Sequence, residues 1–157
     1  MKIIFLDIDG VLNHHKCRWC FDHVSRKSFF VEEGDEFTGF LGVDPERVKI
    51  VLDIVEKTGA KIVLSSTWRK HNDWLETMVA NGFNSDLFVG RTIHDWEMIR
   101  GQEIQAWIDE HQDLKKFAII DDDSDMLPSQ FDSFFQTSFA TGITPEIAEK
   151  IINHLNA

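Results

Sequence analysis

A chain of 157 residues, 43% hydrophobic and 27% charged, is long enough for one ordinary domain that builds its own core without disulfides or structural metal. Its formal net charge of −11 argues against non-specific binding to nucleic acid or an anionic membrane, both of which need a positive field. A nucleotide, or an oligonucleotide end in a locally basic pocket, stays compatible with that charge.

Met1-Lys2 leads into only four apolar residues, Ile3-Ile4-Phe5-Leu6, before Asp7 interrupts. That run is too short for a secretion signal or a membrane span, so a cytoplasmic protein with no membrane partner is expected. It reads instead as a buried, parallel strand ending at residue 7. Where a strand runs out, residues i and i+2 point to one side, so Asp7 and Asp9 face one pocket while Ile8 packs the other way. Gly10 permits a tight turn and a close approach to the backbone. Two carboxylates side by side repel: one must stay ionised as nucleophile or metal ligand, while the other has its pKa raised and carries a proton. That division suits attack on a phosphoryl group through an acyl-phosphate, followed by hydrolysis.

Residues 13–43 form a long insertion, basic early (His14, His15, Lys16, Arg18, Arg26, Lys27) and acidic later (Glu32, Glu33, Asp35, Glu36). Insertions of this length in compact domains serve as lids or binding loops, and basic residues contacting substrate are expected here. Cys17 and Cys20 with His14, His15 and His23 offer soft ligands for zinc, but the second Cys pair or ordered His spacing of a zinc site is missing.

Asp44-Pro45 then signals a helix start, and Val48, Val51, Leu52 and Val55 recur at helical spacing up to Gly59. The apolar run Lys61–Leu64 predicts a second strand, ending in Ser65-Ser66-Thr67. Trp74, Leu75, Met78 and Val79 predict a helix before Gly82, and Leu87–Val89 a weaker strand. Ile104, Trp107 and Ile108 mark a helix beginning near Gly101. Phe117–Ile120 is a third strong strand, ending in Asp121-Asp122-Asp123-Ser124-Asp125. Phe134–Phe139 is a last weak strand, and Thr144-Pro145 opens a helix whose Ile147, Ala148, Ile151 and Leu155 face inward.

Strands alternating with helices predict an α/β fold: a Rossmann-like parallel sheet in three layers, one domain over 1–157, with the lid insertion after the first strand. Ligands of such sheets bind beyond the carboxyl ends of the strands. All three strong strands end there in polar residues, Asp7/Asp9, Ser65/Ser66 and Asp121/Asp122. Gathering those acids concentrates charge that only a cation neutralises, and all-oxygen ligands select Mg²⁺ first. Ser65 or Ser66 supplies a hydroxyl and backbone N–H groups to a phosphate; Arg100, with Arg69 as a second candidate, supplies permanent positive charge. Taken singly, the serines also read as a helix cap, Arg100 as a surface residue, Arg69 as structural or surface, and Asp121–Asp125 as a solvated turn.

In chain order, Asp-Ile-Asp-Gly-Val at 7–11, Val-Leu-Ser-Ser at 63–66, Arg100, and Ile-Ile-Asp-Asp at 119–122 resemble the four motifs of the haloacid dehalogenase (HAD) superfamily. The stretches LDIDGVLN and SSTWR are most similar to its small branch of RNA-repair and polynucleotide-phosphatase domains. The resemblance implies Asp7 as nucleophile and Asp9 as acid/base. It also implies phosphate binding by Ser65 (or Ser66) and by Arg100 in the place of the usual Lys. Mg²⁺ would be held by Asp7, the Asp9 main-chain carbonyl and Asp121/Asp122, with Asp125 acting through the metal's waters. The expected function is hydrolysis of a small phosphometabolite or nucleotide. The alternatives are a nucleic-acid 3′-phosphatase and a non-catalytic phospho-ligand or protein-binding module; the oligomeric state stays open.

Overall fold

The computed structural model describes residues 1–37 and 39–157. Five strands form one parallel sheet: β1 (Lys2–Leu6) lies at its centre, and the strands below join it on either side. A hairpin of β2 (Trp19–Phe21) and β3 (Ser28–Phe30) follows, then β4 (Lys61–Leu64), β5 (Phe88–Arg91), β6 (Lys116–Asp121) and β7 (Phe134–Gln136). The sheet order is β5-β4-β1-β6-β7, and each neighbouring pair is parallel. The helices are α1 (Pro45–Thr58), α2 (Trp74–Ala80), α3 (Arg100–Asp109) and α4 (Pro145–Asn156).

The period of two along the strands divides the core between two faces. Ile4, Leu6, Ile62, Leu64, Ala118 and Ile120 pack with Val51 and Ile54 of α1 and Ile151 and Leu155 of α4. Ile3, Phe5, Val63 and Ile119 point the other way, onto Ile104 and Trp107 of α3. The three expected layers result, and each fully buried aliphatic side chain contributes roughly 1.5–3 kcal/mol against exposure.

Local signals set the helix ends. The Asp44 side chain accepts from Glu46 N ahead of Pro45, and Gly59 at φ 68° donates to the Val55 carbonyl. The weak strands come out shifted. Leu87 closes a 3₁₀ turn capped by Asn84, so β5 starts at Phe88; β7 stops at Gln136 because the chain bends into a Ser138–Gly142 bridge. Of the residues expected to face inward from α2, Met78 is buried but Val79 is not, since this short helix sits at the sheet's edge with Thr77 turned inward instead. No helix among the described residues is long and apolar enough to cross a membrane.

The insertion carries the antiparallel hairpin, with Cys20 bridging to Leu41; its residue 38 lies outside the described residues. Asn81, just past α2, anchors the hairpin: its Oδ1 accepts from Ser28 N and Oγ, and its Nδ2 donates to the Arg26 carbonyl.

Candidate active site

Beyond the last ladder pairs, backbone bonds continue stepwise across the carboxyl edge. Thr92 N donates to Leu64 O, Ser65 N to Leu6 O, Asp7 N to Ile120 O and Thr137 N to Asp121 O, each within 3.0 Å. These steps draw the ends of β4, β1 and β6 together and place Ser65, Asp7 and Asp121 on neighbouring strands. One carboxylate oxygen each of Asp7, Asp121 and Asp122 lie within 4.8 Å of one another, and no other group of three such ligating residues occurs among the described residues. Cys17 and Cys20 are buried free thiols outside any such group among the described residues.

Two glycines make the close approach possible. At Gly10 the chain takes φ 80°, and a Cβ there would lie 2.4 Å from the Asp122 carboxyl. At Gly101 a Cβ would lie 2.6 Å from Leu127 N, so the start of α3 can abut the loop after β6. There Asp125 Oδ2 accepts from Arg100 N and its carbonyl accepts from Gly101 N, which fixes Asp125 as a cap on α3. Its Oδ1 is buried with no hydrogen-bond partner among the described residues.

Burial first, and the charges of its neighbours after it, raise the Asp7 pKa to about 6, although Arg100 opposes the shift. Asp121 is pushed up to about 8 by burial and then by the Asp7 charge, and burial also raises Asp122. The sequence left Asp7 and Asp9 undistinguished as a pair, and Asp7 has lifted proton affinity because it is buried amid other acids. An all-oxygen trio destabilised by burial and mutual repulsion fits a hard divalent cation, which would offset both effects.

Arg100 reaches into this trio from the first turn of α3. Its Nη1 donates to Asp121 Oδ2 at 3.1 Å and lies 3.5 Å from Asp7 Oδ1, while its Nε stands 3.7 Å from Glu103. The two serines separate clearly. Ser66 Oγ accepts from Trp68 N and caps the 3₁₀ turn over Thr67–Lys70, whereas Ser65 Oγ is buried without a partner among the described residues. An unmade hydrogen bond of that kind costs about 1–3 kcal/mol, which a ligand oxygen would recover.

Asp9 is held by groups the sequence reading passed over. Asn13 Nδ2 donates to Asp9 Oδ1 at 2.9 Å, and Trp68 Nε1 donates to Asp9 Oδ2 at 3.2 Å. Asn13 also accepts from Gly10 N, and Thr137 Oγ1 donates to the Gly10 carbonyl, so the whole turn is strapped down. Both Asn13 and Trp68 fall inside the motif stretches, which was the available signal. Arg69 is structural and not on the surface: it is 2% exposed and bonded to four loop carbonyls and to Glu103. Glu103 follows Arg100 by three residues on one helix, a spacing that marks a pair.

Two of the insertion's basic residues are tied into the fold. Arg18 donates to the Val31 and Glu32 carbonyls, and Arg26 pairs with Asp73 at 2.5 Å. The cleft beside Asp9 is walled more by rings than by cations.

The model of the family described as "HAD domain in Swiss Army Knife RNA repair proteins" matches residues 3–148. No curated protein matches the chain.

Proposed function

Because the chain belongs to the family of HAD domains in Swiss Army Knife RNA repair proteins, we propose that it is a Mg²⁺-dependent phosphomonoester hydrolase acting on a small phosphometabolite or nucleotide. The observation that carries this reading is the convergence of Asp7, Asp121 and Asp122 beside an Asp9 carboxylate held at both oxygens.

In this reading an Asp7 oxygen attacks phosphorus and the P–O ester bond breaks, with Asp9 giving its proton to the departing oxygen. Asp9 then takes a proton from water, whose oxygen displaces Asp7 and releases inorganic phosphate. Ser65 Oγ and Arg100 donate to the phosphoryl oxygens as charge builds on them. Asp7, the Asp9 carbonyl, Asp121 and Asp122 would hold Mg²⁺, which supplies charge neutralisation between the carboxylate nucleophile and an anionic phosphate. The test is a panel of phosphomonoesters with Mg²⁺ or EDTA, including nucleotides and 3′- and 5′-phosphorylated oligonucleotides. Mg²⁺-dependent phosphate release is expected; silence across the panel would favour a non-catalytic binding module.

A nucleic-acid 3′-phosphate is the second reading, favoured by the family's description. It predicts steep loss of affinity with added salt, which a small phosphometabolite would not show.

Thermal stability probes the cation separately. Asp7 and Asp121 have folded pKa values of about 6 and about 8 against 3.8 for the unconstrained carboxyl. The unfolded chain therefore ionises first as pH rises, and these groups lower stability progressively between about pH 4 and 8. A cation needs them ionised, so it binds better at pH 8. In EDTA-treated protein, adding Mg²⁺ to 100 times its Kd should raise Tm by about 5–10 °C at pH 8. At pH 5.5 the gain should be less than half of that, read by calorimetry; equal gains at both pH values would contradict the assigned ligands.

A further inference from the structure

Next to Asp9 a cleft of about 520 Å³ opens between the β2–β3 hairpin and the segment that follows β4. That volume falls within the range of about 300–1,000 Å³ usual for small-molecule sites. Its wall is a continuous run of rings. Trp68 and Phe21 lie with centroids 5.0 Å apart, Phe21 and His23 at 5.0 Å, and His23 and Phe40 at 4.9 Å. The run begins at the Trp68 indole that donates to Asp9, so it leads outward from the acid that protonates the departing oxygen. A leaving group whose oxygen is protonated by Asp9 would extend into this space. Phe40 is 58% exposed at its outer end, an apolar ring waiting for a partner. Arg26 and Asp73 also line the cleft; they pair through Nε and Oδ2 at 2.5 Å, which leaves the Arg26 Nη groups as donors and Asp73 Oδ1 as an acceptor without a partner among the described residues.

We propose that this cleft is the leaving-group subsite of the hydrolase described above and that it takes the base of a nucleoside phosphate, stacked against the Phe21–Phe40 wall. The inference rests on the reading of Asp7 and Asp9 as the reacting pair. A phosphorylated phenol without further polar substituents is the poorer fit: the one polar atom of its leaving group is the ester oxygen, which must face Asp9, so nothing on the ring meets Arg26 and Asp73. A nucleobase carries donors and acceptors along its far edge and a π-face for the rings. The chain's net charge of −11 further favours a single nucleotide unit, free or terminal, over a long polyanion.

The test separates binding from turnover. Asp7→Asn protein is titrated by calorimetry with adenosine 3′- and 5′-monophosphate and with ribose 5-phosphate, and the active chain is assayed for kcat and KM on the same three compounds. The nucleotides should bind about tenfold or more tightly than the base-free ester, as expected for one stacked base. Phe40→Leu should cut that preference about tenfold, through KM, while Phe40→Trp should preserve it; a merely apolar role would be satisfied by Leu. A dinucleotide bearing a terminal phosphate distinguishes the sources: binding tighter than the mononucleotide marks a chain end, equal binding a free nucleotide. Active protein with no preference for the nucleotides, or a preference that Phe40→Leu leaves intact, overturns the subsite while the hydrolase reading stands. Nucleotide preference in Asp7→Asn protein without any turnover by the unaltered chain overturns the hydrolase reading and leaves the subsite.

Discussion

Asp7→Asn should lower kcat by at least about 10³-fold while leaving the protein as stable as before, or more so, at pH 8 in EDTA. The two halves of the expectation come from one geometry. Asp7 ends the central strand, is 7% exposed, and shares its surroundings with Asp9, Asp121 and Asp122. An amide of the same shape cannot form an acyl-phosphate by attack of a carboxylate oxygen, so the chemical step is lost. The same amide carries no charge, so the repulsion and burial that lift the carboxyl to about pH 6 disappear as a cost to the fold. The Arg100 guanidinium keeps Asp121 as a partner at 3.1 Å. Phosphate release and a melting curve on the same preparation check both halves. Retention of a tenth or more of the activity would remove Asp7 from the nucleophile's role. Loss of activity together with collapse of the melting temperature would show that Asp7 acts on the fold.

The framework that positions this site was legible from short-range chemistry. The apolar runs at 3–6, 61–64 and 117–120 became the three central strands, and Asp44-Pro45 with Gly59 bracketed α1 as written. Asp7, Ser65 and Asp121 came together because parallel strands of matched register end at one edge, a consequence of topology that alternation of elements already implies. What the sequence hid were the side chains that act at a distance. Nothing in the local pattern around Trp68 says that its indole reaches Asp9 59 residues away, or that Asn13 joins Asp9, the Gly10 amide and the Gly42 carbonyl. Charge in the insertion was an incomplete guide. Arg18 is consumed in holding the hairpin, Arg26 is tied through its Nε to Asp73 at the cleft's margin, and most of the surface beside Asp9 is aromatic. Composition reports how many cations a segment has, but only packing decides which of them remain free.

Arg69→Met should destabilise the fold by about 3–5 kcal/mol, a fall in Tm on the order of 10 °C for a chain of this size. The guanidinium is the shared peg of three carboxyl-edge segments. Nη1 donates at 2.8 Å to the carbonyls of both Ser65 and Ser66, Nε to those of Thr92 and Ile93, and Nη2 to Ile93 and, at 2.6 Å, to Glu103 Oε2. Methionine fills much of the volume but satisfies none of these acceptors, and it leaves a carboxylate that is 4% exposed without its partner. Lysine in the same place restores charge but not the planar fork that spans loops on both sides, so Arg69→Lys should recover only part of the loss. The distinguishing variant is the double change Arg69→Met with Glu103→Gln. If the stranded carboxylate is the main cost, the second substitution returns part of the lost stability instead of adding to it. The loop carbonyls stay unpaired in either case, and Ser65 sits on the loop they anchor, so kcat should stay depressed even where Tm is regained. Urea unfolding of the two single variants and the double, with activity measured below their transitions, separates the two effects. A loss under 1 kcal/mol for Arg69→Met would mean that Glu103, with His94 at 3.4 Å and Arg100 at 3.7 Å, is neutralised well enough without it.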